Sequence, residues 1–216
     1  MRSACALLVV LVGTVVSVAA DEKAVAHDFE AAKTGDVPKG WTVAKTGTGE
    51  GSGWAVAEDK TAPKGSKVLA QTAASPAAMF NLCVLDNAVL ADVEVSVAFK
   101  AVKGESDQGG GVVWRYADAD NYYVARFNPL EDNYRLYHVA AGKRTQIGGK
   151  EGLKLKAGEW HTLKIRMVGE AITCTLDGKV EIEAKDKTFA KSGKVGLWTK
   201  ADAQTSFDDF AAKEVK

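Results

Sequence analysis

The sequence predicts an all-β fold, a β-sandwich of two antiparallel sheets, and three observations carry this reading. From Gly109 to Gly148 the chain runs GGGVVWRYADADNYYVARFNPLEDNYRLYHVAAGKRTQIG, four runs rich in Val, Tyr, Trp, Phe and Ile separated by Asp/Ala/Asn, Pro/Asp/Asn and Gly/Lys clusters. That is the pattern of an antiparallel meander. LADVEVSVAFKAV alternates cleanly, with Val93, Val95, Val97 and Phe99 on one face and Asp92, Glu94, Ser96 and Ala98 on the other. Asp177-Gly178 sits between AITCTL and KVEIEA, a strong short hairpin signal because a type I′ turn needs residues that tolerate positive φ.

The remaining elements follow in order. AVAHDFE reads as a short strand and AAKTGDVPKG as a loop. GWTVAKT and GWAVAED repeat a Gly-Trp opening around TGTGEGS and read as two strands joined by a Gly-rich turn. KVLAQTA and AAMFNLCVL follow, and KGESDQ turns the chain into the meander. Beyond it, EWHTLKIRMV buries Leu163, Ile165 and Met167, and KVGLWTK with TSFDDFAAK closes the domain. Roughly twelve to fourteen strands result, with a helical turn expected only around Phe189. No linker divides them, so one domain is expected over residues 21–216.

Residues 1–20, MRSACALLVVLVGTVVSVAA, have Arg2 near the start, an apolar run and small residues at Val18 and Ala20. This is the pattern of a secretory signal peptide cleaved before Asp21. The expectation is an exported protein, secreted or periplasmic, without membrane attachment after cleavage. The apolar stretch is short for a membrane span, which needs about 20 residues. The full chain has 28 basic and 28 acidic side chains, and loss of Arg2 leaves a net charge of −1. Nucleic acid as a partner calls for a concentrated basic surface, and this balance argues against one.

Cleavage leaves Cys83 and Cys174, each in an alternating apolar run. They are a candidate disulfide in an oxidising compartment, or two buried thiols acting as small hydrophobes. Asp28 and Glu30 in HDFE would meet Asp208 and Asp209 in SFDDF if the first and last strands pair. Four such carboxylates would suit a structural calcium ion, the one candidate cofactor; alternate exposed positions on terminal strands are the plainer and favoured reading.

Function is read first from the strand beginning at Tyr122. Tyr123, Ala125 and Phe127 form a core face, while Tyr122, Val124, Arg126 and Asn128 point the other way. Neighbouring strands are expected to add Arg115 on one side and Arg135 with Tyr137 on the other. Aromatic rings beside fixed forks of N–H donors suit a polar, ring-shaped ligand, and carbohydrate is the expected partner. Ordinary cross-strand pairs on an outer sheet face are the plainer reading of the same residues. Trp41, Trp54, Trp114, Trp160 and Trp198 are mostly core, with Trp114 and Trp198 as candidates for a binding face.

The order GGGVVWRY, DADNYYVARF, YRLYHVAAGKRTQI, EWHTLKIRMVGEAITCTLDGK, GKVGLWTKADAQTSFDDF resembles the concanavalin A-like lectin/glucanase jelly roll. Within it, the chain is similar to the 3-keto-disaccharide hydrolase domain family, also described as family 16 glycoside hydrolase-like. The resemblance covers nearly all of residues 21–216. It implies a curved sheet whose concave face holds sugar, with hydrolysis or elimination of keto-glycosides in some members. The E-x-D-x-x-E run of family 16 glucanases is absent. The nearest pair, Asp92 and Glu94, shares a strand face about 7 Å apart. Elimination from a keto-glycoside needs a base, and His138 and His161 are the candidate catalytic residues. A non-catalytic laminin-G-like adhesion or glycan-binding module is the alternative.

Overall fold

The computed structural model describes residues 23–216; the signal peptide expected over residues 1–20 lies outside them. Among these residues the chain forms fifteen strands and no helix. They are β1 (Ala24–His27), β2 (Trp41–Thr46), β3 (Trp54–Glu58), β4 (Lys67–Gln71), β5 (Phe80–Leu90) and β6 (Val93–Lys103). The meander follows as β7 (Gly110–Asp118), β8 (Asn121–Asn128), β9 (Asn133–Ala140) and β10 (Lys143–Glu151). The chain ends with β11 (Trp160–Val168), β12 (Ala171–Leu176), β13 (Lys179–Lys185), β14 (Gly193–Lys200) and β15 (Gln204–Glu214). Two antiparallel sheets form a jelly-roll sandwich. One runs β13-β12-β11-β6-β15-β4-β3 with β1 also paired to β15, and the other runs β10-β9-β8-β7-β14-β5-β2.

The interior is built from the alternating positions that the sequence marks. Val93, Val95, Val97 and Phe99 of one sheet meet Tyr123, Ala125, Phe127, Val195 and Leu197 of the other, with Leu163, Ile165 and Met167 in the same cluster. Trp114 lies within it and donates its indole N–H to the Met167 sulfur at 3.1 Å. Asp177 and Gly178 take φ values of 47° and 79° at the β12–β13 turn, as a type I′ hairpin requires.

The Gly-Trp repeat does not make a hairpin. β2 pairs with β5 in one sheet and β3 with β4 in the other, so TGTGEGS carries the chain between layers. The segment around Phe189 is an extended loop, held by Phe189 N–H on the Tyr123 hydroxyl at 3.1 Å. Cys83 and Cys174 are both free thiols, on β5 and β12 of opposite sheets and buried in the shared interior. Burial pushes the Cys174 thiol up to about 12 and the Cys83 thiol higher still.

β1 does pair with β15, bringing His27 opposite Phe210. The four acidic side chains nevertheless anchor loops. Glu30 accepts from Ser66 N–H and Lys67 N–H at 2.8 and 2.6 Å. Asp208 accepts from Lys64 N–H at 2.8 Å, Asp209 pairs with the Lys64 ammonium at 2.6 Å, and Asp28 accepts from Glu30 N–H at 3.2 Å. Among the described residues no three His, Cys, Asp or Glu side chains converge as a metal site.

The seven-stranded sheet is rolled. β8 and β2 stand four strand spacings apart in its order, about 19 Å if flat. Yet the Tyr122 and Thr46 hydroxyls are 2.8 Å apart, and the Thr46 hydroxyl also donates to the Ala119 carbonyl in the β7–β8 turn. The face that turns inward carries a second apolar cluster of Phe80, Leu82, Val84, Val113, Tyr122, Val124, Tyr137, Val139 and Trp198. Between Trp114 and Asp118 a bulge sets Arg115, Tyr116 and Ala117 against Tyr122 alone. Arg115 takes φ 45° there and turns out of the alternation.

Arg115 is only 4% exposed. Its guanidinium donates to the carbonyls of Ala91, Phe189 and Gly169 at 2.9, 2.7 and 2.9 Å and to Asp92 at 3.2 Å. Arg115→Met leaves these acceptors without a donor, and urea denaturation is expected to show a loss of about 3–5 kcal/mol.

Asp202 gathers the 105–107 loop through the N–H groups of Glu105, Ser106 and Asp107 at 2.7 to 3.1 Å. Burial alone would raise its pKa, but these donors hold it below the usual carboxylate value. A depressed folded pKa contributes stability above the unfolded value, which disappears as the pH falls through the folded one. Asp202→Asn is therefore expected to cost about 1–2 kcal/mol at neutral pH. Melting curves of the two proteins should converge as the pH drops below about 4.

Candidate functional site

The inward face of the rolled sheet places polar groups beside an aromatic floor. Alternation on β8 and β9 brings Arg126 directly opposite Arg135, on the same side as Tyr122 and Tyr137. On β10, Arg144 and Gln146 share this side, opposite Val139 and Tyr137. β14 contributes Trp198 and Lys200, and β5 contributes Phe80. Gly111 lies between Trp198 and Arg126, where an added Cβ would come within 1.9 Å of the Ala125 carbonyl oxygen. Only glycine lets these strands approach so closely.

Arg144 lies across the roll. Its guanidinium carbon is 4.4 Å from the Tyr137 ring centroid, 5.1 Å from Phe80 and 5.9 Å from Trp198. These rings come from three strands, and β10 and β5 are five spacings apart in the sheet order. Phe80 and Trp198 pack with centroids 5.3 Å apart. Cation–π attraction strengthens when the cation is partly desolvated, as Arg144 is.

Beside this floor, Arg126 donates to Asn133 Oδ1 at 2.6 Å and Glu131 Oε2 at 2.7 Å, with its guanidinium carbon 6.0 Å from the Tyr137 centroid. Burial would raise the Glu131 pKa, but the Arg126 bond holds it below the usual carboxylate value. Asp107 accepts from Lys200 at 2.8 Å and from Asn128 at 3.0 Å. Arg135 donates to Gln146 at 2.6 Å and pairs with Glu151 at 3.0 Å. Four N–H donors of this face remain without partners although buried: Arg126 Nε, Arg135 Nε, one terminal nitrogen of Arg144 and the Trp198 indole N–H. Buried donors ordinarily find acceptors, so this face is incomplete by itself.

Of the residues expected from sequence, Tyr122, Arg126, Arg135 and Tyr137 share the inward face, with Tyr122 at its closed end under Thr46. Arg115 lies elsewhere, bound at the β7 bulge. His138 points to the opposite side of β9, 3.4 Å from Asp186 and 3.2 Å from the Thr188 hydroxyl. His161 belongs to the other sheet, opposite Phe99, with Nδ1 2.7 Å from Asp177. Neither histidine reaches the inward face. Asp92 binds Arg115 and Gly169 N–H, and Glu94 faces Lys164 and Lys213.

Sequence reasoning missed Arg144, Phe80, Glu131, Asp107 and Lys200. The available signal was for Arg144, which alternates with Gln146 along the fourth meander strand. Trp198 does lie on the inward face, whereas Trp114 is interior.

The same architecture occurs in solved structures of low sequence identity. The carbohydrate-binding module CBM66 from Bacillus subtilis superposes with a TM-score of 0.62 at 20% identity, covering 81% of this chain and 95% of its own. Domain 4 of AbnA, a GH43 extracellular arabinanase from Geobacillus stearothermophilus solved with arabinotriose, gives 0.56 at 13% identity over 89% and 93%. A protein of unknown function with a galectin-like fold from Bacillus subtilis gives 0.56 at 11% identity over 81% and 89%. No protein with a curated description matches the chain. Residues 29–213 match the model of the 3-keto-alpha-glucoside-1,2-lyase-like domain. With the match spanning nearly the whole sandwich, the chain belongs to the 3-keto-alpha-glucoside-1,2-lyase-like domain family.

Proposed function

We propose that the protein binds carbohydrate on the inward face of its rolled sheet, and that it works as an exported domain. One observation carries the binding reading: Arg144 stands over Tyr137, Phe80 and Trp198 and Arg126 beside the same Tyr137, each with a buried, unpartnered guanidinium N–H. A sugar offers hydroxyl oxygens for the N–H groups, while the buried rings of Tyr137, Phe80 and Trp198 seat the guanidinium that meets it. The fold likeness to CBM66 and to the arabinanase domain solved with arabinotriose supports this choice of ligand. The apolar run of residues 1–20 supports export.

The finer reading is elimination from a 3-keto-glycoside, which the family description supports. A ketone at C3 acidifies the proton on C2. A base removes that proton, the C1–O bond breaks with its electrons leaving on the aglycone oxygen, which takes up a proton from solvent, and a C1=C2 double bond forms. Glu131 is the carboxylate beside the guanidinium cluster and is the proposed base; the Arg126 Nε–H faces the oxyanion that develops at C3.

Calorimetry against a panel of glycosides and their 3-keto derivatives tests both. Arg126→Lys keeps the charge and loses the planar fork, so affinity is expected to fall about 10- to 100-fold. Glu94→Gln, on the outer face of the other sheet, should leave affinity unchanged. Equal affinity in wild type and Arg126→Lys would overturn the site. In the same panel, turnover followed by mass spectrometry should release the aglycone from 3-keto-glycosides and fall at least about 100-fold in Glu131→Gln. Binding without turnover in the wild type would leave a glycan-binding module and overturn the elimination.

A further inference from the structure

The cations of the inward face are not equivalent. Arg126 is paired with Glu131, Arg135 with Glu151 and Lys200 with Asp107, at 2.7, 3.0 and 2.8 Å. Arg144 has no carboxylate partner among the described residues. It rests on three aromatic rings, and one of its terminal nitrogens is buried without any acceptor. Burial pulls its pKa below the usual arginine value; Tyr137, Asp107 and Glu131 oppose this, and neighbouring Arg126 adds to it. Asp107 and Glu131 already hold other cations, so neither neutralises it.

An unpaired guanidinium partly withdrawn from water is unfavourable, and proteins normally pair or hydrate such a charge. The ring quadrupoles compensate Arg144 in part, but they leave its N–H edge free. Nearby, Arg126 presents an unpartnered Nε–H from a side chain only 3% exposed, against the same Tyr137 ring. The unpaired Arg144 guanidinium and the one unpartnered Arg126 Nε–H, set around the Tyr137 ring, form a receptor for an anionic group. A hydroxyl would satisfy a hydrogen bond and leave the charge uncompensated. A carboxylate would do both, with the planar two-oxygen geometry that guanidinium matches.

We propose that the glycan bound on this face carries a carboxylate, as a hexuronic acid does, and that Arg144 is the residue that receives it. The proposal rests on the carbohydrate-binding reading and names its substrate class. Acidity is then read by a cation seated on the aromatic floor, with the sugar ring lying beside it toward Arg126 and Glu131.

Matched pairs of oligosaccharides test this: tetramers of glucuronate, galacturonate and mannuronate, each with its carboxyl-reduced neutral counterpart, titrated calorimetrically at low and high salt. At least one uronate is expected to bind about tenfold or more tightly than its reduced partner, with the preference shrinking as salt rises. Arg144→Gln should remove the preference, so that acidic and neutral members bind alike; Arg144→Lys should retain part of it. Neutral members binding as tightly as their acids, or a preference that survives in Arg144→Gln, would overturn the proposal and leave carbohydrate binding standing. Binding to no member, acidic or neutral, would overturn both. The salt dependence in wild type decides the matter even where the Gln variant folds poorly.

Discussion

The molecule depends on how far its seven-stranded sheet curls. The bond between the Tyr122 and Thr46 hydroxyls, with the donation from Thr46 to the Ala119 carbonyl, ties β8 to β2 across the face of their own sheet. Without that closure, one face of the sheet would be an open apolar surface carrying Phe80, Tyr122, Tyr137 and Trp198. With it, that surface becomes a second core. The sandwich therefore has two hydrophobic centres, one between its sheets and one inside the curl of a single sheet.

The curl also sets the electrostatics. Side chains that would lie far apart on a flat sheet converge, so Arg144 from one edge strand reaches Phe80 and Trp198 near the other. Water is excluded from much of this space, and a charge there interacts more strongly than the same charge on an outer face. Glu94 with Lys164 and Lys213 shows the contrast, since those pairs sit on the exposed side of the eight-stranded sheet. Exposed pairs of that kind contribute little to stability.

How much of this the sequence carries depends on whether the information is local. Period-two alternation sorted β6, β8 and β11 into faces correctly, because successive side chains in a strand have no other option. The Asp177-Gly178 hairpin was legible for the same reason, a turn written in two residues. Arg115 was not, because the bulge that reverses its direction comes from β7 fitting against β8 and β14 rather than from GVVWRY itself. The layer change between β2 and β3 was hidden too, as the choice of partner strand lies in residues far along the chain. For Arg144 the alternation with Gln146 gave its side of the strand, but the curl that brings it onto Phe80 and Trp198 is a property of the whole sheet.

Cys83 and Cys174 give the fold an internal gauge of its own integrity. Each thiol sits in the centre shared by both sheets, and burial holds it far from the thiolate form that reacts with disulfides, alkylating agents or peroxide. Neither can be modified while the sheets stay together, whatever the redox state of the surroundings. Because they belong to different sheets, their chemistry reports separation of the layers as a whole, and their labelling rate is a clock for cooperative opening of the sandwich.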